Sequence, residues 1–370
     1  MFSCPRWLRS QRALLRLMAV LCLLEIAGTA WAIHWATSCR RATQSRFAER
    51  LDPNEEESGL TQPITDEAAQ NVQTTVTAGV YVDEIRSVSI RDLQCQIGFT
   101  IWFRWPVSSQ LTPEDLREFS VLNGQIESLE VEEQLQLQGD HYLRCRVLTG
   151  LAVRWELDRF PLDHQQIVIA IEHPRRPRSE LTYQADVQNS RMSSRAIVPL
   201  WQISDLRVFE KPHAWQTGRG DPRQFGPSGV NWSQLRAIIS LSPRSWGYHL
   251  KLFQCTFIAV GVALAALLVP PHFVDPRFGL GVGGLFAAVA NSWVTQELIP
   301  DTGTLTLADL INLISTLVIL LTILISILSL HLHETFGQAS LSRFLDKGCL
   351  LLLAPGYLFF QMLVAWFAAG

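Results

Sequence analysis

The sequence predicts two structural parts, a soluble all-β domain followed by an all-α domain of four membrane-spanning helices. Charged residues are distributed unevenly: residues 249 to 370 contain ten of them in 122 positions, whereas residues 1 to 248 contain 55. The C-terminal third is therefore as poor in charge as membrane segments are, and the rest has the charge density of a soluble domain. A period-two pattern of apolar residues in the middle of the chain indicates strands.

The β domain is predicted from short alternating segments within residues 75–244. From Cys95 to Trp105 every odd-numbered position is apolar, so one face of this strand packs into a core. Similar alternations occur at 126–131, 143–147, 167–171 and 235–241, with turn signals such as Gly139-Asp140 between them. Several short strands at near-regular spacing are typical of an antiparallel sandwich.

Four apolar runs predict the membrane helices of residues 245–370. Uncharged stretches of 23, 19 and 24 residues begin after Lys251, Arg277 and Asp309, and the chain is apolar again from Gly348 onward. A helix needs about 20 such residues to cross the hydrocarbon core. We therefore expect a multi-pass protein in the lipid bilayer of the cell membrane, plasma or inner.

The N-terminus carries a further apolar stretch, residues 13–32, which follows several arginines and ends in Ala30-Trp31-Ala32. This layout favours a secretory signal peptide over residues 1–32 with an A-x-A cleavage site, although Arg16 and Glu25 interrupt it. A retained membrane anchor is the alternative. Either way, the segment indicates translocation of the β domain. Residues 33–74 are polar and are predicted to form a linker or a loose N-terminal arm.

Several function classes are disfavoured by composition and motifs. The balance of 31 basic against 34 acidic residues gives no basic field for nucleic acid, so no nucleic-acid partner is expected. No GxSxG, HExxH or Cys/His metal spacing occurs, and we expect neither an enzyme nor a metal or cofactor site. Cys95 and Cys145 fall on inward strand faces and are interpreted as buried free thiols, with a bridge between them as the alternative.

The second apolar run has a helical face with an acid at each end. Its members are Asp275, Gly279, Gly283, Phe286, Ala290, Trp293 and Glu297, spaced three or four residues apart. If several copies of this helix surround an axis, the acids form a carboxylate ring at each mouth of a pore. Phe286 then forms an apolar constriction that closes the pore by dewetting. The alternative is a buried helix with capping acids.

Glycine occupies positions 279, 281, 283 and 284 of this run, and each disfavours a helix by about 1 kcal/mol relative to Ala. Close packing of helices in lipid is one explanation. A widened inner pore is the other.

Three further motifs occur together and in order. Phe160-Pro161-Leu162-Asp163 follows a strand, Arg244 precedes the first apolar run with Tyr248 close by, and Arg277-Phe-Gly-Leu-Gly281 opens the second. On this architecture the set resembles the pentameric ligand-gated ion channels, the Cys-loop receptor superfamily, over about residues 76–370. The resemblance implies an extracellular, or periplasmic, immunoglobulin-like sandwich that binds ligand, and a homopentamer with a central pore for permeant inorganic ions.

Departures from the family pattern favour its bacterial branch. Val153 and Ile167 stand where animal members carry the two cysteines of the Cys-loop disulfide, and the connection between the third and fourth runs is short. The stretch between Trp105 and Asn123 is also shorter than in typical members, so a strand or binding loop is trimmed there.

The resemblance also implies roles for residues outside the pore face. Arg244 is expected to pair with Asp163 at the junction of the two domains, with Pro161 and Asp92 in the same coupling region. The implied ligand-binding residues are Trp102, Arg104, Arg144, Trp215 and Phe225. Aromatic side chains favour a cationic ligand and arginines an anionic one, so the activating small molecule, or proton, stays open.

Charge selectivity is predicted from the inner mouth. Asp275 favours cations, whereas the Arg277 segment is closest to that of glycine-receptor-like anion channels. Residues two apart on a helix lie about 200° apart, so Arg277 points away from a lumen that Asp275 faces. We therefore expect a cation-selective channel. An anion-selective channel and a non-conducting, membrane-anchored ligand sensor of the same fold are the alternatives.

Overall fold

The computed structural model describes residues 11–53, 74–214, 231–301 and 303–369. The chain divides into two compact units. The helical unit comprises residues 1–42, 156–163 and 245–370, and the β unit comprises residues 43–155 and 164–244. A long helix, α1 (Gln11–Leu51), contributes its first part to the helical unit and its last turns to the β unit.

The β unit is built from two sheets. Its elements are β1 Thr74–Ser89, β2 Gln94–Pro106, α2 Pro113–Arg117, β3 Ser120–Val121, β4 Gly124–Leu137, β5 Asp140–Ala152, β6 Gln165–Glu172, β7 Leu181–Ala185, β8 Arg191–Met192, β9 Trp201–Ala214 and β10 Asn231–Pro243. One sheet has the order β4-β5-β2-β1-β7, with β8 beside β1, and the other has the order β3-β6-β10-β9. The sheets contact each other where β7 lies against β9 and β10.

The strand from Cys95 to Trp105 is confirmed as β2, and all six of its odd-numbered residues are buried. Phe103 lies at the centre of this packing, with its ring centroid 5.6 Å from that of Phe119 and 6.2 Å from that of Tyr183. The other four alternating segments lie within β4, β5, β6 and β10. In β2 and β5 the alternation follows burial, whereas β6 and β10 are buried on both faces and β4 has no buried residue.

Cys95 and Cys145 are buried free thiols, as expected. In the register of β2 against β5, Cys95 pairs with Leu151 and Cys145 pairs with Ile101. The two thiols are thus six residues apart along the ladder, about 20 Å at the usual rise per residue, which is too far for a bridge. Burial raises the pKa of Cys95 to about 12 and that of Cys145 to about 11, so neither forms a reactive thiolate at neutral pH.

The predicted fold class, an all-β immunoglobulin-like sandwich followed by four helices, is wrong. Helices lie at both ends of the chain, because α1 precedes the β region. The β region is also mixed rather than antiparallel throughout, since β7 and β8 both run parallel to β1. Period-two alternation reports which face of a strand is buried and carries no information on strand direction, so the parallel pairs could not be read from it.

The helix α1 continues through residues 33–51, which the sequence had indicated as a linker or arm, and residues 54–73 of that segment lie outside the described chain. No Gly or Pro occurs between Thr29 and Asp52, so nothing interrupts the helix. It ends where Asp52 precedes Pro53, because the residue before a proline disfavours helical geometry. In the β unit, Lys211 Nζ donates to the carbonyl oxygens of Glu49 and Asp52 at 2.9 and 2.8 Å.

The helical unit contains the four predicted spans. They are α3 Trp246–Ala265, extended by a 3-10 turn at Ala266–Leu268, α4 Val274–Leu298, α5 Leu307–Glu334 and α6 Ala339–Ala369. The start of α5 is fixed by a capping box between Thr306 and Asp309. With α1, five helices in the described part of the chain are long and apolar enough to cross a membrane.

We predict that Phe103→Ala lowers the free energy of unfolding of the β unit by about 3–5 kcal/mol, because it leaves a cavity beside the rings of Phe119 and Tyr183. Leu137→Ala, at a side chain that is 59% exposed, should change it by less than about 0.5 kcal/mol. Urea unfolding in detergent, followed by near-ultraviolet circular dichroism, measures both. Equal losses for the two variants would contradict the assignment of Phe103 to the core.

Candidate functional site

The helix α4 has two faces of opposite exposure. The buried positions, Arg277, Gly281, Gly284, Ala288, Asn291 and Thr295, recur every three or four residues and pack against the other helices of the unit. The seven positions of the proposed pore face are all exposed, including Phe286 at 72% and Trp293 at 69%. Therefore no element in the described part of the chain covers the face that carries Asp275 and Glu297.

The four glycines of α4 divide between these two faces. A Cβ on Gly281 would lie 2.8 Å from the Ile323 side chain, and one on Gly284 would lie 2.8 Å from the Ala259 carbonyl oxygen. Close packing therefore explains these two. Nothing lies within 4 Å of a Cβ on Gly279 or Gly283, so packing within the chain does not require glycine at these two exposed positions. Close packing is thus confirmed for Gly281 and Gly284, and a widened inner pore at Gly279 and Gly283 stays a prediction.

A buried ion pair ties the first turns of α4 to α6. Arg277, 1% exposed, donates from Nη2 to Asp346 Oδ1 at 2.6 Å and from Nη1 to Asp346 Oδ2 at 2.9 Å. Its Nη1 also donates to the Val269 carbonyl oxygen at 2.9 Å. This bidentate geometry is the strong form of an arginine–carboxylate pair. Arg277 thus lies on the face of α4 opposite Asp275.

Hydroxyl groups complete this buried network. Ser329 of α5 donates to Asp346 Oδ2 at 2.8 Å, and its Oγ is 2.7 Å from that of Ser342. Asp346 was not anticipated as a functional residue. The available signal was Arg277 itself, because an arginine in an apolar run needs a carboxylate partner, and Asp346 is the one acid in the sequence between Glu334 and Gly370.

A second polar seam connects the buried face of α4 to α3 and α5. The amide of Asn312 donates to Thr295 Oγ1 at 2.8 Å, and Thr256 Oγ1 donates to the Asn312 side-chain oxygen at 3.4 Å. Neutral hydrogen bonds between membrane helices contribute about 1 kcal/mol each. They fix the rotation of α4, because turning the helix would break them.

The residues of the expected coupling region fall in both units. Asp163 is buried in the helical unit, and Arg159 of the same segment donates to the Ala368 carbonyl oxygen at 2.8 Å. Burial lowers the pKa of Arg159, and the Asp163 carboxylate partly offsets this. Pro161 follows a cis peptide bond.

Asp92 and Arg244 belong to the β unit. Asp92 Oδ2 accepts from the Ser89 hydroxyl at 2.6 Å, in the turn after β1. The Arg244 backbone N–H donates to the Leu200 carbonyl oxygen at 3.1 Å. The pairing of Arg244 with Asp163 stays a prediction.

Three of the five expected ligand-binding residues meet in the β unit. Trp102, Arg104 and Arg144 line one cleft of about 490 Å³ on the sheet of β1, β2 and β5. They meet because Trp102 is paired with Arg144 across the β2–β5 ladder, and Arg104 lies two residues along the same face. Trp215 and Phe225 lie outside the described residues.

Other lining residues were missed by sequence reasoning: Thr77, Tyr81, Thr100, Glu132, Tyr142, Asp186 and Asn189. Trp102 Nε1 donates to Asp186 Oδ2 at 3.1 Å. Burial opposes the charge on Asp186, but hydrogen bonds from Asn189 and Trp102 and the nearby Arg104 lower its pKa overall. Arg144 pairs with Glu132 and Glu133 at 3.1 and 3.2 Å. The cleft therefore presents charges of both signs beside aromatic rings.

No group of three His, Cys, Asp or Glu side chains that could hold a metal ion occurs among the described residues. Comparison with known proteins finds no matching family model and no matching curated protein.

We predict that Asp346→Leu destabilises the protein by about 3–5 kcal/mol, because it leaves the Arg277 guanidinium buried without a carboxylate. Adding Arg277→Met should recover most of this loss, since both charges are then gone. Thermal unfolding in detergent measures the stability of the two single variants and of the double variant. Arg343→Met, on the exposed face of α6, is the control and should have little effect. If the loss of stability in the double variant equals the sum of the losses in the two single variants, the two charges do not interact.

Proposed function

We propose that this chain is a subunit of a homopentameric ligand-gated ion channel whose pore is lined by the exposed face of α4. The observation that carries the proposal is the division of α4 into a packed face and an unpartnered face with a carboxylate near each end. A closed ring of identical subunits gives each copy of that face the same surroundings around the axis. The pentamer and the gating by ligand rest on the family resemblance.

The position of Glu297 supports a pore over a single packed bundle. An acid in the first turn of a helix, such as Asp275, is favoured by the helix dipole, whereas an acid in the last turn is disfavoured. Glu297 lies in the last turn of α4 and is exposed. Capping therefore explains Asp275 but not Glu297, and a carboxylate ring at the second mouth of a pore supplies a reason for it.

Cation selectivity is the better supported alternative. Arg277, the residue that favours anion selectivity, is buried and neutralised by Asp346 on the opposite face of α4. The charge left on the exposed face at that end is the Asp275 carboxylate. A ring of such carboxylates concentrates cations and repels anions.

We propose that ligand enters the cleft of Trp102, Arg104 and Arg144, which lies on the outer face of one sheet. Such a cleft becomes enclosed when a neighbouring subunit covers it. The β unit would then lie on the extracellular or periplasmic side, where α1 ends and α3 begins. Because the cleft carries both arginines and the Asp186 carboxylate, it does not select the charge of the ligand. A screen of ligands and pH determines whether the activator is a cation, an anion or a proton.

A non-conducting sensor of the same fold is the second candidate. It is favoured by the two large apolar side chains on the exposed face, Phe286 and Trp293, and by the absence of hydroxyl groups at the seven positions. Dehydrated ions would then find few polar ligands along the pore. Current recording on the purified protein in planar bilayers, during a screen of ligands and pH, separates the two candidates.

We predict that Asp275→Asn shifts the reversal potential in asymmetric salt toward lower cation preference, because the ring loses its charge. Glu334→Gln is the matched control: His272, just before α4, contacts His333, so Glu334 lies at the same end of the bundle but on α5. It should leave the reversal potential unchanged. If Glu334→Gln shifts selectivity and Asp275→Asn does not, the exposed face of α4 does not line the pore.

We predict that Phe286→Ala produces current without ligand, because methyl groups replace a ring of large apolar side chains at the constriction. Leu285→Ala, one position away and partly buried in the bundle, is the control and should stay closed at rest. Recording in bilayers measures both. An unchanged resting current in Phe286→Ala, at normal expression, would contradict the assignment of the constriction to Phe286.

A further inference from the structure

The N-terminal helix has one face turned toward the other helices of the helical unit. The positions on this face are Leu14, Met18, Leu21, Glu25, Thr29, Ala32 and Ala36, which are buried or partly buried. They recur every three or four residues, as one side of a helix does. The same spacing continues through Ala32, the residue at which a signal peptidase would cut.

From Leu15 to Trp31 every exposed position of this helix except Arg16 is apolar. Leu15, Val20, Leu23, Leu24, Ile26 and Trp31 are each more than half exposed. In water such a surface would be a liability, whereas a membrane helix exposes apolar side chains to lipid and turns small or polar residues toward its neighbours. The first part of α1 exposes apolar side chains in this way, and its packed face becomes small and polar from Glu25 to Ala36.

Two glycines of α6 receive side chains from α1. A Cβ on Gly348 would collide with the end of Met18, and a Cβ on Gly356 would collide with the carboxylate of Glu25. The glycines are eight residues apart and Met18 and Glu25 are seven apart, so each pair lies on one face of its helix. Leu14 belongs to the same buried cluster as Leu345 and Leu353 of α6.

Glu25 determines the rotation of α1. An ionisable side chain within a membrane helix is rare and faces protein or a cavity rather than lipid. Its carboxylate lies against Gly356, beside a cavity of about 200 Å³ that α1, α5 and α6 line. A signal peptide has an apolar core in which Glu25 would have no role. In a retained helix that packs on α6, the Glu25 carboxylate has a defined position against Gly356.

The direction of the contact agrees with the connectivity of the chain. Met18 meets Gly348 and Glu25 meets Gly356, so α1 and α6 run parallel. Three short connections reverse the chain between α3 and α6, which makes α6 antiparallel to α3. A helix that ends on the side where α3 begins must also be antiparallel to α3, and α1 satisfies this.

We propose that residues 11–32 are retained as a fifth membrane-spanning helix docked on the Gly348 and Gly356 face of α6, and are not removed as a signal peptide. The occupant of this face of α6 is thus a segment of the same chain. This proposal does not depend on conduction, so it can fail while the channel proposal stands, and the reverse.

The first experiment is the intact mass and N-terminal sequence of protein purified from membranes through a C-terminal tag. We expect residues 11–32 to be present in the mature protein. A mature chain that begins at Ile33 would overturn the proposal.

The second experiment tests docking by oxidative cross-linking in a chain whose native cysteines are replaced by serine. Met18→Cys with Gly348→Cys should give a cross-linked peptide, detected by mass spectrometry. Val20→Cys with Gly348→Cys is the control, because position 20 is about 200° around the helix from position 18 and should give none. Equal yields from both pairs, or no product from the first, would overturn the docked arrangement.

A third variant links Glu25 to this contact. Gly356→Leu fills the space that the Glu25 carboxylate occupies and should abolish the cross-link between positions 18 and 348. Gly261→Leu on α3, where nothing lies within 4 Å of a Cβ, should retain it. Retention of the cross-link in Gly356→Leu would show that Glu25 does not set the docking of α1.

Discussion

A charged side chain is costly in hydrocarbon, and this constraint sets the rotation of the helices in the helical unit. Arg277 turns one face of α4 toward Asp346 of α6, and the bidentate pair keeps that face inside. Because α4 is a single rigid helix, fixing Arg277 inside also fixes Asp275 outside. In the proposed assembly around an axis, the exposed carboxylates at its ends would face a water-filled pore.

The same constraint separates two kinds of polar residue in the membrane helices. Asn312, Thr295 and the Ser329–Asp346 group are satisfied within the chain, and they hold the bundle together. Glu297 is exposed and adds no such cohesion. Glu297 therefore has no role in the packing of one chain, but it has one in a pore that several copies would build together. For this reason we favour the channel over an isolated membrane anchor.

Much of the strand content and all four C-terminal spans could be predicted, because they depend on local periodicity and on run length. The face of α4 could also be predicted, since helical spacing alone fixes which residues share a side. The length of α1 was missed because residues 33–51 are polar, and polarity was taken as evidence of a linker although helix-breaking residues were absent. Pairings between distant segments, such as β7 with β1 or Asp346 with Arg277, leave no mark in local pattern.

The lining of the cleft around Trp102 was only partly predictable, for a related reason. Trp102 and Arg104 share a face of one strand, which alternation reveals, but Tyr81, Tyr142 and Asp186 reach the cleft through strand pairing and a loop. Alternation therefore found the residues that share a face of β2, and the family resemblance added Arg144 on β5, but the other neighbours across the sheet were missed.

The most direct test of the pore face compares two alanines of α4 that lie two positions apart. In a chain whose native cysteines are replaced by serine, Ala290→Cys and Ala288→Cys are treated with a charged, water-soluble thiol reagent during current recording. Ala290 is exposed on the proposed pore face, whereas Ala288 is 1% exposed against the other helices. Block of the current in Ala290→Cys and none in Ala288→Cys is the expected result. Block in Ala288→Cys alone, or in neither variant despite measurable current, would contradict a pore lined by this face.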